Sequence, residues 1–123
     1  MRIGFKSELG QKGEDAAVIY LKQKGHIILH RNYRVCGNEI DIISRINNTI
    51  CFIEVKTRKD SDHGFPEEFV DQRKMKRIIR AAKIFYNTSK YHNLKARFDV
   101  ISVLYKFKNS EIECFENAFE DDF

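Results

Sequence analysis

The sequence predicts an α/β (α+β) fold in which a central mixed β-sheet of four to five strands is flanked by helices. Two stretches, residues 7–24 and 69–87, repeat apolar side chains at helical intervals. The segments between and after them are short, rich in β-branched and aromatic residues, and punctuated by Gly and Asn. The resulting order of helix, three strands, helix and one or two further strands fits a sheet layered with helices. At 123 residues the chain is expected to form one domain, 1–123, large enough to bury a core without disulfides.

In residues 7–24, Leu9, Gly13, Ala16, Ala17, Tyr20 and Leu21 recur at helical spacing, and Gly25 supplies the stop. Gly10 and Gly13 weaken this helix locally and suit a close packing contact. A first strand is expected from His26 to Tyr33, a turn at Gly37-Asn38, and a second strand to about Arg45. An Asn47-Asn48 hairpin turn then leads to a third strand over 49–57. Residues 58–68, RKDSDHGFPEE, hold the only proline and many charges and read as an exposed loop beside a strand end, within reach of a substrate. In 69–87, Met75, Ile78, Ile79, Ala82 and Phe85 form a core stripe, while Arg73, Lys76, Arg77, Arg80 and Lys83 make the opposite face basic. Residues 97–107 alternate as a fourth strand with Asp99 near its start, and 112–115 form a short fifth.

Composition narrows the function. All 22 Lys and Arg precede Ser110, whereas six of the 18 acidic residues follow it, so residues 1–110 carry 22 cations against 12 acids, a net charge of +10. Such a basic chain suits a polyanionic partner. Cys36, Cys51 and Cys114 are odd in number and lack a C-x-x-C pair, which fits reduced thiols in the cytoplasm and argues against zinc. No run approaches the roughly 18 apolar residues of a membrane span, and the N-terminus lacks a signal peptide's apolar core. Neither phosphate-loop signature is present, and His26 and His30, though on one strand face, have no evident third metal ligand.

The segment Gly37–Arg58, GNEIDIISRINNTICFIEVKTR, holds the chemistry. Strand parity puts Glu54 and Lys56 on one face with Val55 opposite, and groups Glu39, Asp41 and Ile43. Charges among such apolar neighbours need hydrogen bonds or a cation, and a divalent metal satisfies several oxygens at once. Asp41 and Glu54 on adjacent strands are hard oxygen ligands, and Lys56 is placed to hold the attacking water or stabilise charge, a set suited to phosphodiester hydrolysis. In the first helix Glu14 shares a face with Gly10, Ala17, Val18 and Leu21, so it points inward as a further ligand, while Asp15 points out. Each has a plainer explanation alone: an E-x-K pair is commonly a salt bridge, Glu14 a surface charge, Asp41 a ligand for backbone amides. Glu39, nearer the turn, is expected to support the site, and Asp99 to support Lys56 or another basic residue.

These residues fall into a pattern that resembles the uncharacterised YraN family of small bacterial proteins, placed in the restriction-endonuclease-like superfamily. The likeness runs through Gly10, Glu14, Ala17, Leu21 and Gly25, then Asn32 and Arg34, Glu39-Ile40-Asp41-Ile42 and Phe52-Ile53-Glu54-Val55-Lys56-Thr57-Arg58. It continues through Lys74, Arg97-Phe98-Asp99-Val100 and Asn117-Ala118-Phe119. Two positions depart: Asn38 stands where the family usually has a second glycine, and Ile40 where the superfamily has proline before its first acid. The resemblance implies a restriction-endonuclease-like fold with a PD-(D/E)xK nuclease core. Asp41, Glu54 and Lys56 would then be its acids and lysine, Glu14 its helix carboxylate, and Mg2+ or Mn2+ its cofactor. It also implies kinship with archaeal Holliday-junction resolvases, which act as dimers. Arg34, Arg58, Lys74, Arg77 and Arg97 are the side chains expected to bind nucleic acid.

Three functions follow for testing. The first is a metal-dependent endonuclease acting on DNA, including branched or structured DNA. The second is a nucleic-acid-binding module without turnover. The third is an interaction protein that uses its acidic C-terminal segment and the 58–68 loop.

Overall fold

The computed structural model describes residues 6–59 and 71–119. Its elements run α1 (Glu8–Gln23), β1 (Ile27–Val35), β2 (Asn38–Ile46), β3 (Thr49–Lys59), α2 (Gln72–Thr88), β4 (Lys95–Tyr105) and β5 (Ser110–Phe119). The five strands form one sheet in the order β1-β2-β3-β4-β5. Only β3 and β4 run parallel, so the sheet is mixed. The fold is α+β, a five-stranded mixed sheet with a helix on each face, as in restriction-endonuclease-like folds.

Both helices are capped as their sequences dictate. Ser7 Oγ accepts the Gly10 N–H at 3.0 Å to start α1. At its end Gly25 takes φ 97°, and the N–H groups of Gly25 and His26 bond back to Lys22 and Leu21, a Schellman stop. Asp71 caps α2 by accepting from Lys74 N at 2.8 Å, so this helix begins at Gln72 rather than at 69. Arg58 and Lys59 continue β3; the rest of the loop expected at 58–68 lies outside the described residues.

The helices divide the core into two clusters. Ala17, Val18 and Leu21 of α1 cover Ile42, Cys51, Ile53, Ile101 and Val103. On the other face Ile78, Ala81, Ala82 and Phe85 of α2 cover Ile43, Ile50, Phe52, Phe98 and Val100. Burial on both faces explains why β3 reads as continuous apolar sequence from Ile50 to Ile53. Each large side chain removed from water contributes roughly 1.5–3 kcal/mol. Within the stripe expected for α2, Met75 and Ile79 are only partly buried. No helix among the described residues is long and apolar enough to cross a membrane.

Three local features differ from the sequence expectation. The β1–β2 turn is Cys36-Gly37, one residue earlier than expected, with φ values of 50° and 76°; two left-handed residues are what a two-residue hairpin turn requires. Asn38 opens β2 and its side-chain amide donates to the Val35 and Cys36 carbonyls, bracing that turn. The fifth strand spans Ser110–Phe119 rather than 112–115. Its alternation is interrupted by a bulge, with Phe98 opposite Phe119 but Val100 opposite Phe115, and Asn117 at φ 53°.

Candidate active site

The site begins where two strands part. Pairing of β2 with β3 runs from Ile46↔Thr49 to Ile42↔Ile53 and ends there, although β3 stays paired with β4 as far as Lys59↔Tyr105. Into this fork Asp41 places its carboxylate, and Oδ2 accepts the Val55 N–H at 2.8 Å in place of a strand carbonyl. Ile40 and Ile43 join the core beneath α2 while Ile42 joins the core beneath α1. Strict alternation therefore breaks at Asp41, and the parity expected for Glu39, Asp41 and Ile43 does not run through it. A side chain that would have pointed into one core is turned toward the opening between strands.

Glu54 and Lys56 share a face, as their spacing requires. Glu54 is buried, with only 4% of its surface exposed. Its Oε1 meets Lys74 Nζ from the first turn of α2 at 2.5 Å and Lys56 Nζ at 4.0 Å. Burial, joined by the negative charge of Asp41, pushes the Glu54 carboxyl up to about 7, against the opposing pull of Lys74 and Lys56. Burial lowers the Lys56 pKa, and the charge of Lys74 lowers it further. Burial also disfavours charge on Lys74, but Glu54 outweighs it and raises that pKa. Lys74, expected to bind nucleic acid, thus also belongs to the acid centre.

Glu14 enters from α1, fully buried, while Asp15 points to solvent. A Cβ at Gly13 would lie 1.8 Å from Thr57 Oγ1, so the missing side chain lets α1 sit against β3 and brings Glu14 to the sheet. Glu14 Oε1 accepts from Arg31 Nε at 3.1 Å and from Asn32 Nδ2 at 3.0 Å. Asn32 reaches it from a left-handed residue in β1, at φ 53°. Glu14 Oε2 faces Lys6 Nζ at 3.1 Å, and the same ammonium donates to Asp41 Oδ1 at 2.8 Å and lies 3.6 Å from Glu39 Oε1. Burial acts to lower the Lys6 pKa, but Asp41 and Glu14 overcome it and raise it well above its ordinary value.

A cleft of about 260 Å³ is lined by Lys6, Gly10, Glu14, Asp41, Val55 and Lys56, among others. Glu54 is not among its lining residues and approaches from the α2 side, coupled to Asp41 through charge. Among the described residues no group of three or more His, Cys, Asp or Glu is gathered to hold a metal ion. Magnesium, however, takes one or two carboxylates and completes its shell with water and substrate phosphates. The acidity of Glu54 is suppressed by burial and by Asp41 despite the nearby Lys74 and Lys56, and a hard cation on these two carboxylates would relieve their repulsion. The donor set therefore fits such an ion.

The remaining expected contacts are spread out. Arg34 Nε lies 3.4 Å from Glu39 Oε2. Arg58 extends β3 beside Leu104, and Arg77 is exposed on α2. Arg97 is turned away from the centre: it clasps Asp99 with contacts of 3.0–3.1 Å and reaches Glu116 at 3.1 Å. Asp99 supports Arg97, not Lys56, and also accepts the Asn117 N–H at 3.0 Å. Sequence reasoning missed Lys6 and Arg31. Lys6 precedes the helix cap and sits in no periodic element, so no local signal marks it.

The sequence profile of the uncharacterised protein family UPF0102 matches residues 13–103, a span that holds Glu14, Asp41, Glu54, Lys56 and Lys74. A UPF0102 protein of Caldicellulosiruptor saccharolyticus is 43% identical over 116 residues, covering 93% of this chain and 98% of the relative. Another, of Prosthecochloris aestuarii, is 42% identical over 118 residues, covering 91% and 93%. A third, of Chlorobium phaeobacteroides strain BS1, is 46% identical over 118 residues, covering 91% and 94%. The chain belongs to the UPF0102 family, the YraN-type family that its residues resemble.

Proposed function

We propose that this protein is a metal-dependent endonuclease that hydrolyses phosphodiester bonds in DNA, with branched or otherwise structured DNA as the preferred substrate. The observation that carries this reading is the buried Asp41–Glu54 pair at the open fork of β2 and β3, with Lys56 beside it. A magnesium or manganese ion held by Asp41 and Glu54, with Glu14 as a further ligand, would supply the Lewis acid that activates water and stabilises the phosphoryl oxygens. Asp41 is held ready by the Val55 N–H, and Lys74 orients Glu54. Lys56, 4.0 Å from Glu54, orients the attacking water and offsets charge developing on the phosphoryl oxygens. The DNA substrate is supported by the basic excess of residues 1–110 and by the exposed basic side of α2, and the structured-DNA preference by the resemblance to junction resolvases. That resemblance also supports a homodimer with two such centres, which sedimentation of the purified protein measures. The free Cys36, Cys51 and Cys114 fit a cytoplasmic setting.

Incubation with junction, flap and linear DNA and magnesium tests the reading. Cleavage that disappears in Asp41→Ala is expected; cleavage unaltered in that variant, or none by folded wild type, rejects it. A second reading, a nucleic-acid-binding module without turnover, is favoured by the lysine paired with each of Asp41 and Glu54. It predicts salt-dependent DNA binding that survives Glu54→Ala and no metal uptake by calorimetry.

A further inference from the structure

Lys6 stands inside a ring of three carboxylates from two elements: Glu14 of α1, and Glu39 and Asp41 of β2, with the ammonium 3.1, 3.6 and 2.8 Å from the nearest oxygens. Two of those oxygens, Glu14 Oε2 and Glu39 Oε1, are buried and accept no hydrogen bond. Glu14 is itself 1% exposed. A buried carboxylate oxygen left without a hydrogen bond is costly, and here only the nearby positive charge of Lys6 offsets the cost. The lysine is half-buried and lies one residue before the Ser7 cap, outside the helical hydrogen-bond ladder. Its side chain can therefore leave the ring without unwinding α1.

We propose that Lys6 is the built-in counter-ion of this acid cluster and that the metal must displace it to bind. The inference rests on the metal-binding reading given above. A divalent ion using Asp41 Oδ1 or Glu14 Oε2 would meet a second positive charge at contact distance, so ammonium and metal exclude one another. Without metal, Lys6 keeps Glu14, Glu39 and Asp41 from repelling one another. Once displaced, its ammonium remains at the cleft, where a DNA phosphate is the next available anion. Lys6 is thus a positioning residue that acts through the carboxylates and sets the metal concentration at which the site fills.

Calorimetric titration with manganese tests this in the absence of DNA. Lys6→Met keeps the apolar stem and Lys6→Gln keeps a hydrogen-bond donor, while both remove the charge. Each is expected to bind manganese about tenfold more tightly than wild type, the scale of one charge-assisted hydrogen bond lost by the competitor. Lys6→Arg, which restores the charge, is expected to return to wild-type affinity. A lysine that merely braced the cluster would give the opposite sign, since its loss would loosen the ligands and weaken binding. Unchanged or weaker binding by both neutral variants, with wild type binding normally, overturns the role of Lys6. Absence of manganese uptake by wild type and variants alike at millimolar metal removes the metal reading, and this inference with it.

Discussion

Two buried carboxylates lie on neighbouring strands of this sheet, and their surroundings are opposite. Glu54 of β3 and Asp99 of β4 are both almost sealed from water, and burial raises the pKa of each. At Asp99 the next influences oppose that rise: the Arg97 guanidinium, then the Asn117 N–H. At Glu54 the next influence is a second carboxylate, Asp41, which adds to the rise. Asp99 is a completed ion pair, satisfied by its own neighbours. Glu54 has cations too, Lys74 and Lys56, but it shares them with a second carboxylate beside an opening in the sheet, an arrangement that supports the proposed metal site.

The largest expected difference between the two is in DNA cleavage. Glu54→Gln keeps the shape of the side chain but removes a metal-holding charge, and should lower cleavage by at least about 10³-fold, the scale of losing one transition-state charge contact. Asp99→Asn, measured per folded molecule, should stay within a few-fold of wild type. Equal losses in a quantitative junction-cleavage assay would show that the Arg97–Asp99 end takes part in the chemistry and would dissolve the distinction.

Stability should reverse the ranking. Asp99→Ala leaves Arg97 with only the exposed Glu116 and the Asn117 N–H without its acceptor, so urea unfolding should register a loss of about 3 kcal/mol. Glu54→Gln removes a buried charge that the fold must tolerate, and the Lys74 it leaves behind is 41% exposed and can turn to water. It should unfold at the same or higher urea concentration. A Glu54→Gln protein destabilised as much as Asp99→Ala would make Glu54 a structural ion pair.

Much of this contrast was legible in the sequence, and the rest was hidden for physical reasons. The inward face of Glu14 is readable because a helix repeats its burial at a fixed period, and Glu54 and Lys56 share a face because a strand alternates. Periodicity fails where the backbone departs from the regular element. Asn117 enters the left-handed region within a bulge in β5, which cut the predicted strand short and hid the amide that Asp99 captures. At Asp41 the change of face between Ile40 and Ile42 hid the turn of its carboxylate into the fork. Cys36 in a left-handed turn position shifted the hairpin by one residue, because glycine and asparagine are the expected occupants. Lys6 meets Asp41 across 35 residues of sequence, a contact that only the assembled fold defines.

The pH dependence of stability isolates Glu54. Its folded pKa of about 7 lies above the ordinary 4.5, so between those values the folded chain holds a proton that the unfolded chain releases. Its contribution to stability is therefore greatest at the acid end of that window and declines as pH rises through 7. The unfolding free energy of wild type minus that of Glu54→Gln should increase by on the order of 2 kcal/mol as pH falls from 7 to 4.5. A flat difference would mean that Lys74 and Lys56 fully offset burial and Asp41 at Glu54.

The smallest effect concerns the arginines at the two ends. Arg77 is exposed on α2, on the same helix as Lys74, whereas Arg97 is occupied by Asp99 and Glu116 and faces away from the centre. An arginine that neutralises one phosphate releases about one counter-ion when DNA binds, so Arg77→Gln should weaken binding by a few-fold and lower the salt slope of log affinity by about 1. Arg97→Gln, assayed at a temperature where it remains folded, should leave that slope unchanged, because its guanidinium already has its anions. If instead the Arg97 variant alone lost slope, the DNA would have to run past the cleft lined by Arg97 and Glu116 rather than the one at the fork. The basic side of α2 would then be solvent-facing charge, and the path of the substrate would have to be redrawn around Glu116 rather than Glu54.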